Sequence, residues 1–235
     1  MTDNGEHTTN NRQQVPATQQ SALVYGRWSA ASISAHFFSY VFHPLFLPLY
    51  VIGFFVFVHP SYFSGFSDYD KYKVLFTTIL NTIFFPAFSV LLMKGLGFIK
   101  SIFLHTPQDR IGPYLSSMIF YFWTAWVFFK ATPQFDPILP TFMTGVFLTT
   151  VVGLLSNIYF KISMHAMGVG GLLGVFLLVM QSNTMLMTWP LCLALLIAGI
   201  VCTSRLIISD HSPREIYLGL AAGILCQFVA AIAIL

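Results

Sequence analysis

Seven apolar runs follow one another along the chain, at about 36–58, 73–97, 114–130, 138–160, 166–181, 185–203 and 214–235. A membrane-crossing helix needs roughly 20 predominantly apolar residues, and most of these runs supply about that many. Lipid-facing helix surfaces must be apolar all round, and these runs have that character. The pattern therefore predicts an all-α fold, a polytopic transmembrane helical bundle of six or seven spans. The runs at 114–130 and 166–181 are short enough to be tilted, partial or re-entrant. Pro44, Pro48 and Pro86 are expected to kink or locally open their helices.

The first residues break this pattern. Residues 1–27 hold NNRQQ and TQQS and almost no apolar side chains, too little to offset the entropy of ordering them. They read as a disordered polar tail ahead of a transmembrane domain over 28–235. A cleavable signal peptide needs an apolar core soon after a basic start, so the first membrane helix is expected to act as the targeting signal.

Composition strengthens the membrane reading and narrows the partners. The chain is 56% hydrophobic and 8% charged, with 25 Phe and a mean hydropathy of +0.75, which argues against a soluble domain. The net charge of +3 is scattered, with no basic run suited to nucleic acid. Cys192, Cys202 and Cys226 all lie in apolar runs, are odd in number and lack metal-ligand spacing, so they read as buried thiols. No metal and no cofactor is implied.

The polar interruptions carry the chemistry. By the parity of the spans, the connections near 98–113, 161–165 and 204–213 share one face with the N-terminal tail, and those near 59–72, 131–137 and 182–184 share the other. The first set holds HTPQDRIGP (His105 to Pro113), KISMH (Lys161 to His165) and SRLIISDHSPRE (Ser204 to Glu215). Ionisable groups at a membrane boundary are costly and mark candidate functional sites. Arg110, Lys161, Arg205 and Arg214 offer donors suited to phosphate or carboxylate, which makes an anionic headgroup the natural ligand. Ser212-Pro213-Arg214-Glu215 has the form of a helix start, with Ser as N-cap, Pro at the first helical position and Glu closing a capping box. The free N–H groups of that helix favour an anion near His211. Glu215 can therefore serve the cap alone or a site as well.

In order and spacing these residues resemble the type 2 phosphatidic acid phosphatases, or lipid phosphate phosphatases, which share a site with vanadium haloperoxidases. The third motif of that family, S-R-x5-H-x3-D, is matched by Ser204, Arg205 and His211, with Glu215 in place of Asp. The second, P-S-G-H, is matched in part by Ile162-Ser163-Met164-His165, with Met164 in place of Gly. Of the first, K-x6-R-P, only Arg110 is present; Phe103 stands at the Lys position and Ile111 follows the Arg. FHPLFLPLY (Phe42 to Tyr50) and KISMHAMGVGGLLG also look like a divergent bacterial branch of the superfamily, and the likeness extends over about residues 36–235.

The resemblance implies a membrane phosphatase that acts on an anionic phospholipid or polyprenyl diphosphate in the bilayer of a bacterial inner membrane. It assigns His211 as nucleophile, His165 as the acid that protonates the leaving oxygen, and Glu215 as the group that orients His211. Arg110, Arg205 and Ser163 would hold phosphoryl oxygens, and Lys161 or Lys100 could substitute for the missing Lys. A phosphohistidine route of this kind needs no metal. The alternative within the same resemblance is a catalytically weakened relative that binds anionic lipid as a structural or regulatory protein. A transporter is a third reading, disfavoured because the histidines gather at one boundary instead of along a path.

Other polar residues have plainer readings. His36, His43 and His59 lie near span ends without cationic companions and read as interfacial or packing groups. His105 is a possible headgroup contact. Gly168, Gly170, Gly171 and Gly174 sit in an apolar run, where small residues permit close helix packing. Asp109 and Asp210 adjoin proposed site residues and can balance nearby cations. Arg12, Arg27, Lys94, Lys100, Arg110, Lys161, Arg205 and Arg214 fall on the site side, against Lys71, Lys73 and Lys130 opposite. Taken whole, the count points the site inward and the resemblance points it outward; without the four proposed site cations the count is 4 against 3, and the side of the membrane stays open.

Overall fold

The computed structural model describes residues 30–99, 101, 106–131, 136–182, 184–208 and 211–235. The tail expected over 1–27 lies outside the described residues, as do Lys100, Phe103, His105 and Asp210. Among the described residues the chain forms helices and no strand: α1 (Ala30–Val41), α2 (Leu47–Gly53), α3 (Asp68–Thr78), α4 (Phe85–Gly95), α5 (Pro107–Lys130), α6 (Ile138–Tyr159), α7 (Met164–Ser182), α8 (Thr184–Ile207) and α9 (Pro213–Ile234). Two π-helical segments, Phe54–Val58 and Ile79–Phe84, extend α2 and join α3 to α4.

Among the described residues, five helices are long and apolar enough to cross a membrane: Asp68–Gly95, Ile138–Tyr159, Met164–Gln181, Met187–Ile207 and Pro213–Ile234. The protein is an integral membrane protein by this measure, with fewer such helices than the six or seven spans expected. The difference has a local cause in each case. The first run is broken between Val41 and Leu47, around Pro44, and leaves only the short apolar helix Leu47–Val58 beyond the break. The third run is one 24-residue helix, α5, but its Tyr, Ser, Trp and Thr side chains make it less apolar than a typical span.

Pro86 acts as expected on the second run, but by widening the helix instead of breaking it. Its ring nitrogen cannot donate, and ahead of it Phe85 N–H reaches back five residues to Leu80 O, the π-helical spacing. The whole segment from Asp68 to Gly95 remains continuous.

Small residues bring α9 tightly against α7. A Cβ at Gly223 would fall on the Met167 carbonyl oxygen and lie 2.7 Å from Gly171 N. A Cβ at Gly219 would lie 2.9 Å from Ser163 O. In lipid, helix association relies on such close packing because the surrounding chains are as apolar as Leu. The glycines of KISMHAMGVGGLLG therefore serve packing. Around this pair Phe55, Leu139, Phe142, Met143 and Val175 are fully buried and form the centre of the bundle.

Three hydrogen bonds gather helix ends at one end of the bundle. Asn157 Nδ2 donates to Pro107 O at 2.9 Å, joining the end of α6 to the start of α5. Ser163 N–H donates to Glu215 O at 3.4 Å, joining the starts of α7 and α9. His165 Nε2 lies 3.1 Å from Ser39 O in the last turn of α1. The described parts of the three polar loops thus meet.

Candidate functional site

The start of α9 is built from its sequence in a few local bonds. Ser212 takes an extended conformation, and its Oγ accepts the Glu215 N–H at 3.4 Å; Pro213, which lacks an N–H, fills a position that needs none. The same motif starts two other helices. Ser67 Oγ accepts Asp70 N–H at 3.2 Å before α3, and Thr106 Oγ1 accepts Asp109 N–H at 3.2 Å before α5. In both of these the acid accepts the cap hydroxyl, at 2.7 Å. Asp109 thereby has a capping role.

At α9 the acid has a further partner. Glu215 Oε2 lies 2.7 Å from His211 Nδ1, where the two pair as an ion pair when the imidazole is protonated. The His211 side chain is only 8% exposed and that of Glu215 24%. With Nδ1–H donated to the carboxylate, the neutral imidazole keeps its lone pair on Nε2. Burial holds the His211 imidazole below its ordinary range; the hydrogen bond it donates to Glu215 opposes this, and the charges of Arg205 and Lys161 add to it.

His165 lies in the first turn of α7, next to the cap that Ser163 forms. Ser163 is fully buried, and its Oγ accepts Ala166 N–H at 3.4 Å. The hydroxyl therefore serves α7 itself, while its own hydrogen remains available to donate. In the neutral tautomer that donates Nε2–H to Ser39 O, His165 has its free lone pair on Nδ1.

Arg205, in the last turn of α8, ties the group together. It is close enough for its charge to bear on His43, His165 and His211. Its neighbour Ser204 is buried, with Oγ donating to Ile200 O at 2.8 Å within the same helix. Lys161 is exposed, and its charge bears on both His211 and Glu215. Arg214 is exposed on the first turn of α9.

Comparison with family models, curated proteins and solved structures gives no match to this chain. The site therefore has to be argued from its own geometry.

The geometry corrects one part of the reading of His43, that it lacks a cationic companion, since Arg205 lies close enough for its charge to bear on the ring. The break in the first apolar run turns His43 back onto His165, with ring centroids 5.3 Å apart and planes at 89°. Its Nδ1 accepts Leu45 N–H at 3.3 Å, which places the ring hydrogen of the neutral form on Nε2. The signal available in the sequence was the His43-Pro44 step inside an apolar run. His59, by contrast, is buried away from this cluster, 4.6 Å from the Tyr62 ring centroid.

Arg110 lies in the first turn of α5. It lines a cavity of about 430 Å³ together with His43, Met164 and Tyr114. His43 thus belongs both to the imidazole cluster and to the cavity wall. The described residues contain no group of His, Cys, Asp and Glu arranged to hold a metal.

Proposed function

We propose that the protein is an integral membrane phosphatase that hydrolyses a lipid phosphate or polyprenyl diphosphate through a phosphohistidine intermediate, in the inner membrane of a bacterium. The reading rests above all on the 2.7 Å contact between His211 Nδ1 and Glu215 Oε2 at a capped helix start. It leaves Nε2 as the nucleophilic nitrogen, with the positive end of α9 beside it.

In the first step His211 Nε2 attacks phosphorus, a P–N bond forms and the P–O bond to the leaving group breaks. His165 enters this step as the imidazolium, its Nε2–H kept on Ser39 O, and gives its Nδ1 proton to the departing oxygen. Water then attacks the phosphohistidine, the P–N bond breaks, and His165 takes up the proton. Arg205 offsets the charge on the transferring phosphoryl group, and Lys161 adds to the field at the site. Glu215 holds the imidazole in the required tautomer and stabilises the positive charge it acquires. Arg110 receives the anionic head from the cavity side. The fold that this reading implies is a type 2 phosphatidic acid phosphatase-like core with its third-motif acid replaced by Glu215.

Phosphate release by the purified protein from a panel of lipid phosphates and polyprenyl diphosphates tests the proposal. Release that is lost in His211→Ala and in His165→Ala is the expected result. Release that persists in His211→Ala overturns the assignment of the nucleophile. Anionic lipid bound without any release by the wild type would favour a lipid-binding structural or regulatory role.

A further inference from the structure

The cavity beside Arg110 reaches much deeper than a headgroup needs. Arg110, Pro113, Tyr114, Ser117 and Tyr121 all line it, a spacing that repeats along one face of α5. From Arg110 to Tyr121 is eleven residues, a rise of about 16 Å along the helix. Half of a bilayer's hydrocarbon core is about 15 Å, so the cavity is one leaflet deep.

Its walls are mostly apolar, with Val51, Val90, Val146 and Leu172 on four different segments. Leu91 lines it as well and is 60% exposed on the outer surface of the bundle, so the cavity opens sideways to the membrane. The volume of about 430 Å³ lies within the range of ligand pockets.

The floor is different in kind. Gln227 of α9 lines it and is fully buried, in space left by glycines: a Cβ at Gly145 would fall on its amide, and one at Gly174 would lie 2.9 Å from its Cβ. Its Nε2 donates a long 3.4 Å bond to Phe142 O, and its Oε1 has no hydrogen-bond partner. The amide already lacks a partner for Oε1, and a hydrocarbon end pressed against it supplies none, so a chain gains less there than against an apolar floor.

We propose that this cavity is a chain chamber: it takes one hydrocarbon chain of an anionic amphiphile from the bilayer, with the phosphate head at Arg110, and Gln227 sets how deep the chain can go. The proposal deepens the phosphatase reading by adding a substrate requirement, a single chain drawn inside the bundle up to a fixed length. The headgroup stays at the end where His43 meets both the cavity and His165. The chain is then a source of affinity and of length selection.

The test is binding to the full-length wild-type protein in detergent, read as ligand-induced thermal stabilisation. The probes are octyl, dodecyl and hexadecyl phosphonate, whose C–P bond resists hydrolysis, beside inorganic phosphate. Affinity should rise from octyl to dodecyl by up to about fourfold per added methylene and stop rising at hexadecyl. Gln227→Leu should restore the rise at hexadecyl. Ala87→Phe, which fills the cavity from α4, should abolish the dependence on chain length and leave binding of inorganic phosphate unchanged; Val146→Phe does the same from α6 if the first variant does not fold.

Equal affinity for all four probes, or an unchanged length dependence in the filled variant, overturns the chamber. A rise that continues through hexadecyl in the wild type overturns the role of Gln227. Because binding is read without turnover, a chamber that works in a protein releasing no phosphate separates this proposal from the catalytic one. Normal phosphate release with no effect of Ala87→Phe separates them in the other direction.

Discussion

Replacing Gly223 with Ala should destabilise the protein, although the same change in an open helical position should stabilise it. Ala is favoured over Gly within a helix by about 1 kcal/mol. At Gly223 the added Cβ would fall on the Met167 carbonyl oxygen and lie 2.7 Å from Gly171 N and 3.0 Å from Gly170 C, all backbone atoms of α7. Backbone cannot rotate aside as a side chain can, so the whole of α9 must move away. Overpacking costs typically about 1–3 kcal/mol, and an unyielding neighbour puts the cost near the upper end. Subtracting the propensity gain leaves a net loss of about 2 kcal/mol. Gly199 in α8 is the control, because a Cβ there meets nothing within 4 Å. Gly199→Ala should be neutral or gain up to about 1 kcal/mol. Unfolding of both variants by denaturant in detergent micelles gives the comparison. Separation of α7 from α9 also loosens Ser163 from Glu215, so Gly223→Ala should lose phosphate release as well. Equal stability of the two variants would refute the close-packed α7–α9 pair.

Glu215→Gln should slow phosphate release by about 10²–10⁴-fold while leaving the Ser212 cap and the helix in place, as circular dichroism would verify. The pH profile of release should show an acid limb where His211 gains its proton, and because burial holds that imidazole low, activity should persist below the usual histidine range. The two variants shift this limb in opposite directions: removing the Glu215 charge should move it further towards acid, and Lys161→Gln should move it towards neutral. Stability should follow the same group. Between the ordinary His value of about 6.5 and its lower folded value, the unfolded chain binds the proton first, so stability falls as pH falls through that window. His211→Asn should flatten this part of the stability profile.

The fold class was legible in the apolar runs because a bilayer imposes one length and one kind of surface on every crossing element. The number of crossings was less legible, since run length does not reveal how a proline is absorbed. Pro44 breaks its segment, whereas Pro86 is taken up by a π-helical turn within a continuous helix. The start of α9 could be read residue by residue, because capping depends on neighbours in sequence. The second partner of Glu215, His211, was implied by the resemblance and not by the local pattern, because it depends on the side-chain direction of a residue outside the helix. The companions of His43 were missed for a related reason. Its companions, His165 and Arg205, lie more than a hundred residues away in sequence, and nothing near it in the chain points to them.

The end of the first described helix and the start of the last reach the same place. Ser39 and His43 come from the one side of the sequence, and His211 and Glu215 from the other. The catalytic centre proposed for this protein therefore has no earlier form. Before α9 is in place, His165 can find its carbonyl and Arg205 its helix, but the His211 imidazole is not yet held with its proton fixed on one nitrogen. Reactivity arrives when the helix that starts at Ser212 docks, and a truncated chain that lacks α9 should be inserted, folded in part and inert.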